Sequence, residues 1–118
     1  MQERQYQKLI VWKEAHKLCK KAYEITKNFP PDERYGLKSQ MRRSGYSVPM
    51  NIAEGNSKRT KKGKSQFLDI AVSSLEEFHY QRLLAFELGY VSKEQQDDLL
   101  DHIQRVGFLL HKLRLSLR

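Results

Sequence analysis

Apolar residues recur along this chain at steps of three and four, and four stretches keep that rhythm. The last is the most regular: Leu99, Ile103, Val106, Leu110, Leu113 and Leu117 alternate steps of four and three without a fault. Sustained 3.5-residue spacing requires close, nearly parallel helix packing. Ser92-Lys93-Glu94-Gln95 ahead of it fits a capping box, with Gln three residues after Ser. The first stretch predicts a helix over about residues 6–28, ended by Pro30 and Pro31. Its broad apolar face holds Trp12, Ala15, Cys19, Ala22 and Thr26, flanked by Val11, Leu18 and Ile25. A second helix is expected over about residues 34–54, with Leu37, Met41, Val48 and Ile52 as core positions. Pro49 lies inside it. A proline there removes one amide bond and presses on the carbonyl four residues earlier, which is Gly45, so a kink is predicted around residues 44–49. Residues 55–63 form a polar, basic loop bounded by glycines. A third helix follows over about residues 64–88, with Phe67, Ala71, Leu75, Phe78, Arg82 or Leu84, Ala85 and Leu88 on one side and Gly89 as its cap. No strand pattern or internal repeat competes. Four helices with short connections predict an all-α, up-and-down four-helix bundle.

Composition narrows this reading without changing it. At 118 residues the chain fits one domain. Its core as a monomer would be modest, which favours self-assembly. The single cysteine, Cys19, excludes an intramolecular disulfide. No signal peptide precedes the first helix, and no run of about 18 apolar residues occurs, so a cytoplasmic protein away from the membrane is expected.

Charge changes the picture more. Residues 1–33 carry seven Lys/Arg against five Asp/Glu, residues 34–65 nine against one, and residues 66–118 six against eight. The middle segment therefore holds a charge equal to the net +8 of the whole chain. Such asymmetry points to an anionic partner. Lys58, Arg59, Lys61, Lys62 and Lys64 cluster in and beside the loop, with Lys38, Arg42 and Arg43 on the helix before it. Backbone phosphates attract such groups without reading sequence, so they are the candidate nucleic-acid contacts. Tyr35 and Tyr46 offer rings for base stacking, or serve as packing residues. A solvated loop, or a patch docking a protein partner, is the plainer reading.

Other chemistry fits poorly. Glu76-Glu77-Phe78-His79 contains one Glu-x-x-His, whereas di-metal bundles use two such motifs and two further glutamates. The remaining histidines lack the motif, so no metal and no cofactor is expected. Cys19 sits on an apolar face, where a thiol behaves as a small hydrophobe. Gly63-Lys64-Ser65 resembles the tail of a phosphate-binding loop, but Lys58 stands where the required glycine would be. No catalytic residue is expected. Gln40, Arg43, Ser47, Asn51 and Glu54 follow one another at helical steps and share a face. That line is either a polar contact surface or a hydrogen-bonded interface between helices or subunits. The second is favoured, because buried charges persist when paired.

Gln40-Met41-Arg42-Arg43-Ser44 and Ser47-Val48-Pro49-Met50-Asn51-Ile52-Ala53-Glu54-Gly55 resemble the hallmark of the four-helix bundle proteins encoded in intervening sequences of bacterial 23S ribosomal RNA genes. Leu9-Ile10-Val11-Trp12, Tyr35-Gly36-Leu37, Phe67-Leu68-Asp69-Ile70-Ala71 and Ser74-Leu75-Glu76-Glu77 match as well, so the resemblance spans nearly the whole chain. Ser73 departs from it, since the family pattern has glycine there. The resemblance implies a ring assembly, typically a homopentamer, and no enzymatic activity. It also implies kinship with accessory proteins of diversity-generating retroelements, which pair with a reverse transcriptase and bind nucleic acid through basic surfaces.

Overall fold

The computed structural model describes residues 2–118. Four helices form the bundle: α1 (Ile10–Thr26), α2 (Leu37–Ser57), α3 (Lys61–Glu87) and α4 (Lys93–Leu115), with short 3-10 turns at Gln5–Lys8 and Pro31–Glu33. Each helix packs on its neighbours in chain order, α1 also closes on α4, and among the described residues no diagonal pair of helices packs together. This is the up-and-down arrangement that the apolar rhythm predicts.

The core is made of the residues that the spacing selected. Leu18, Met41, Val48, Ile52, Phe78, Leu99, Val106 and Leu110 are all fully buried. Burying each large side chain contributes roughly 1.5–3 kcal/mol relative to leaving it in water. Gly45 permits the close crossing of α1 and α2: a Cβ there would lie 3.2 Å from Ala22 Cβ and 3.6 Å from a Phe78 ring carbon. The same glycine is the residue four before Pro49, and the helix runs unbroken from Leu37 to Ser57. The predicted kink is therefore minor: the helix stays continuous through Pro49.

The helix ends show local chemistry at work. Ser92 and Gln95 form the reciprocal capping box, Gln95 N donating to Ser92 Oγ at 3.1 Å and Ser92 N to Gln95 Oε1 at 2.8 Å. Gly89 has φ +81, a left-handed conformation that suits glycine. Tyr90 N then donates to Ala85 O at 2.9 Å and Gly89 N to Phe86 O at 3.0 Å, a Schellman closure of α3.

Several boundaries differ from expectation. The first helix begins at Ile10, not near residue 6, because Leu9 is extended and separates α1 from a 3-10 turn. The second begins at Leu37, where the Glu33 carboxylate accepts from the Leu37 amide at 2.9 Å and satisfies a free helix end. The loop expected over residues 55–63 shrinks to residues 58–60, since α2 continues to Ser57 and α3 starts at Lys61. Thr60 explains the early start: its Oγ1 accepts from Gly63 N at 3.0 Å as an N-cap. On α3, Leu68 is buried where Phe67 was expected, and Leu88 is exposed.

Arg82 is the unusual core member, only 5% exposed. Its guanidinium donates to Gln96 Oε1 and lies 3.2 Å from His79 Nε2, while its Nε has no partner among the described residues. Burial pushes its pKa down.

Candidate nucleic-acid interface

The structure divides the basic segment in two. From Lys38 to Lys58 is 20 residues along one continuous helix, or about 30 Å at 1.5 Å per residue. The two groups of cations that adjoin in sequence lie at opposite ends of the bundle.

At the first end, the arginines are held by the protein itself. Arg42 reaches from α2 to the end of α1, where Nε donates to Thr26 Oγ1 at 2.8 Å and NH2 to Tyr23 O at 3.1 Å. Its guanidinium also lies 4.6 Å from the Tyr23 ring centre. It thus caps the carbonyl end of α1, where a cation is favoured by the helix dipole. Arg43 pairs with Glu77 on α3 and donates to Gln40 Oε1 at 2.9 Å. Tyr35 is 83% exposed at this end, far from the turn lysines, and Arg34 lies over its ring.

The polar line along α2 resolves into a seam with α3. Ser47 Oγ and Ser74 Oγ are 2.8 Å apart, and Ser44 Oγ donates to Gln81 Oε1 at 2.5 Å. Gln81 in turn donates to Glu77 at 3.2 Å. Asn51 turns back onto its own helix, donating to Ser47 O at 2.8 Å. Arg43 finds the charge partner expected of it. Glu54 does not: it is exposed and makes no ion pair among the described residues.

At the other end the cations stay available. Arg59, Lys61 and Lys62 are exposed and make no ion pair or side-chain hydrogen bond among the described residues. Lys58 lies 4.9 Å from the Phe67 ring centre, and Lys64 Nζ donates to Asn56 O at 3.1 Å. Both contacts engage the ammonium groups themselves, but neither partner is an acid, so the positive charges are not neutralised. Lys38 is half-buried and also without an ion pair among the described residues, and at the first end only exposed Arg34 shares that lack of a partner acid.

The fold also adds cations that sequence proximity did not connect to this group. The start of α1, the end of α2, the start of α3 and the end of α4 meet here, where Leu9, Asn56, Lys64 and Leu117 line one cavity. Arg4, Lys8, Lys112, Arg114 and Arg118 therefore join the turn. Residues 2–10, 51–69 and 111–118 together carry ten Lys/Arg against three Asp/Glu, while the rest of the chain carries twelve against eleven. One of these acids, Asp69, is paired with Arg114 at 2.8 Å. The signal missed in the sequence was simply that an up-and-down bundle returns both termini to the α2–α3 turn.

Other candidate chemistry finds little support in the geometry. No group of three or more His, Cys, Asp or Glu that could hold a metal occurs among the described residues. Glu76 is exposed, and His79 faces Arg82. Cys19 is buried, which pushes its thiol pKa up and away from nucleophilic chemistry. Among the described residues no helix is long and apolar enough to cross a membrane.

Comparison with known structures supports the architecture. A crystal structure from Bacteroides thetaiotaomicron VPI-5482, a protein with unknown function from the S23 ribosomal protein family, superposes with a TM-score of 0.82 at 20% identity. The match covers 89% of this chain and 95% of that one, and at this identity it speaks for the fold alone. No protein of curated function matches the chain. Residues 7–112 match the 23S rRNA-intervening sequence protein family, a span that takes in α1 to α3, most of α4 and the Ser47–Gly55 run, and the chain belongs to that family.

Proposed function

We propose that this chain is a non-catalytic bundle that binds nucleic acid, RNA or an RNA–DNA intermediate, electrostatically through its basic end. The observation that carries this reading is the concentration of unpaired cations at Lys58–Lys62, reinforced by Arg4, Lys8, Lys112 and Arg118 from the two chain ends. Paired arginines contribute structure; unpaired ones exchange counterions for phosphates. Assembly into a ring, a homopentamer, belongs to the same reading, since symmetry would repeat the basic end on one face. Light scattering at micromolar concentration tests that part, and a stable monomer would end it.

The binding test is affinity for a structured RNA measured against salt. Log affinity should fall steeply with log salt. Replacing Lys58, Arg59, Lys61 and Lys62 by Gln should reduce the slope by roughly 3, at about 0.7–0.9 for each phosphate no longer neutralised. An unchanged slope and affinity would remove the turn from the site.

A second reading, an assembly module docking a protein such as a reverse transcriptase, is favoured by a different surface. Tyr46 and Met50, 42% and 51% exposed, line a groove with Tyr6, Trp12, His16 and Cys19. Under this reading the purified chain binds RNA weakly and captures one protein partner from its host, and Met50→Glu abolishes capture without touching the salt slope.

A further inference from the structure

The core stops short of closing at the basic end. Leu9, Ile52, Gly55, Leu68, Leu113 and Leu117 line a half-open cavity of about 180 Å³. Two of its walls come from outside the regular helices: Leu9 is the extended residue before α1, and Leu117 lies beyond the last residue of α4. Its polar edge is formed by Asn56 and Lys64. Lys64 Nζ donates to the Asn56 carbonyl at 3.1 Å, which leaves that oxygen a second lone pair and the ammonium two further donors. Lys8 and Arg118, next in the chain to Leu9 and Leu117, are exposed beside it.

Size and chemistry together restrict what enters. An apolar cavity of roughly 150 Å³ admits one benzene ring, so this one has room for a single planar ring. The polar edge offers one acceptor and several donors to a ring that carries both N–H and C=O groups. The surrounding cations call for negative charge on the same ligand. We infer that this slot seats one unpaired pyrimidine base of the strand whose phosphates lie on the basic end, with Lys64 at the base edge and Lys8 and Arg118 on the flanking phosphates. The inference rests on the electrostatic reading above and adds a preference for single-stranded ligands, because a base within a duplex is stacked and paired and must leave the helix to enter.

The test compares a labelled eight-nucleotide oligouridylate with the same backbone carrying abasic residues, each titrated across a salt series. Seating a base should make the oligouridylate bind roughly tenfold tighter at every salt, with the same slope for both. Leu117→Trp and Leu9→Trp fill the slot from opposite sides. Either variant, shown folded by circular dichroism and its melting curve, should lose the tenfold preference while keeping the slope. Equal affinity for the two wild-type ligands overturns the inference, and so does a folded, filled variant that still prefers the base-bearing strand. A flat salt dependence for both ligands is a separate result: it removes the electrostatic reading itself.

Discussion

The two halves of the basic segment share a sign and differ in fate. Arg42 and Arg43 lie in the second turn of α2, where neighbouring helices supply Thr26, the Tyr23 carbonyl and Glu77, so their charges are consumed in holding α2 against α1 and α3. Arg59, Lys61 and Lys62 lie at a turn and are exposed to solvent. A guanidinium with a planar fork suits fixed partners; a lysine on a flexible stem suits a mobile surface. Position in the bundle thus decides whether a cation stabilises the fold or remains to meet a ligand.

The sharpest way to break this comparison is to neutralise each half separately and read both binding and stability. Gln at Lys58, Arg59, Lys61 and Lys62 should weaken RNA binding by about a hundredfold or more at near-physiological salt, with the melting temperature almost unchanged. If Arg34 and Lys38 replaced by Gln gave the same loss, the separation of the two halves would collapse.

Arg42→Ala should do the reverse. It removes one hydrogen bond to buried Thr26 and the cap on α1, at a cost of about 1–2 kcal/mol in denaturant unfolding. The salt slope should stay as in the wild type. Arg43→Ala should cost less, about 1 kcal/mol, because its pair with Glu77 is partly solvated and screened. A loss of RNA affinity larger than the loss of stability in either variant would place these arginines in the binding surface after all.

The smallest expected effect uses pH. His102, only 7% exposed, lies between α1 and α4 and faces Glu14 and Lys21 from α1 and Asp98 from its own helix. Burial first, then Lys21, holds its pKa below the ordinary histidine value, against the pull of Glu14 and Asp98. For Glu14, burial acts to raise the pKa, but the Arg105 hydrogen bond, with Lys17, His102 and Arg105 as nearby charges, outweighs it and lowers the carboxyl. Because folded His102 resists a proton that the unfolded chain accepts, its contribution is present above the unfolded value near 6.5 and is lost as pH falls below it. The melting temperature should therefore decline modestly from pH 7 to 5.5, and less so in His102→Gln. His102 does not line the cavity at the basic end, so binding by folded protein should persist. Loss of binding in step with stability would show that the two regions are coupled.

Much of the fold was legible in advance. The heptad-like rhythm of Leu99 to Leu117, the capping box at Ser92 and the glycine at 89 are local signals, and the structure uses each of them. Helix boundaries were less legible, since they depend on single side chains such as Thr60 and Glu33 reaching back to free amides. The polar line of α2 could be recognised as one face, but its partners Ser74, Glu77 and Gln81 lie 27 to 37 residues away.

By itself the sequence determined four amphipathic helices, their order and the total of positive charge, because periodicity, caps and composition act over a few residues. Only the tertiary structure decided where that charge acts. Packing α2 as one unbroken rod separated two groups of cations that adjoin in the chain. The antiparallel return of α1 and α4 then brought Arg4, Lys8, Lys112 and Arg118 to the turn, an encounter between distant segments that no local pattern encodes.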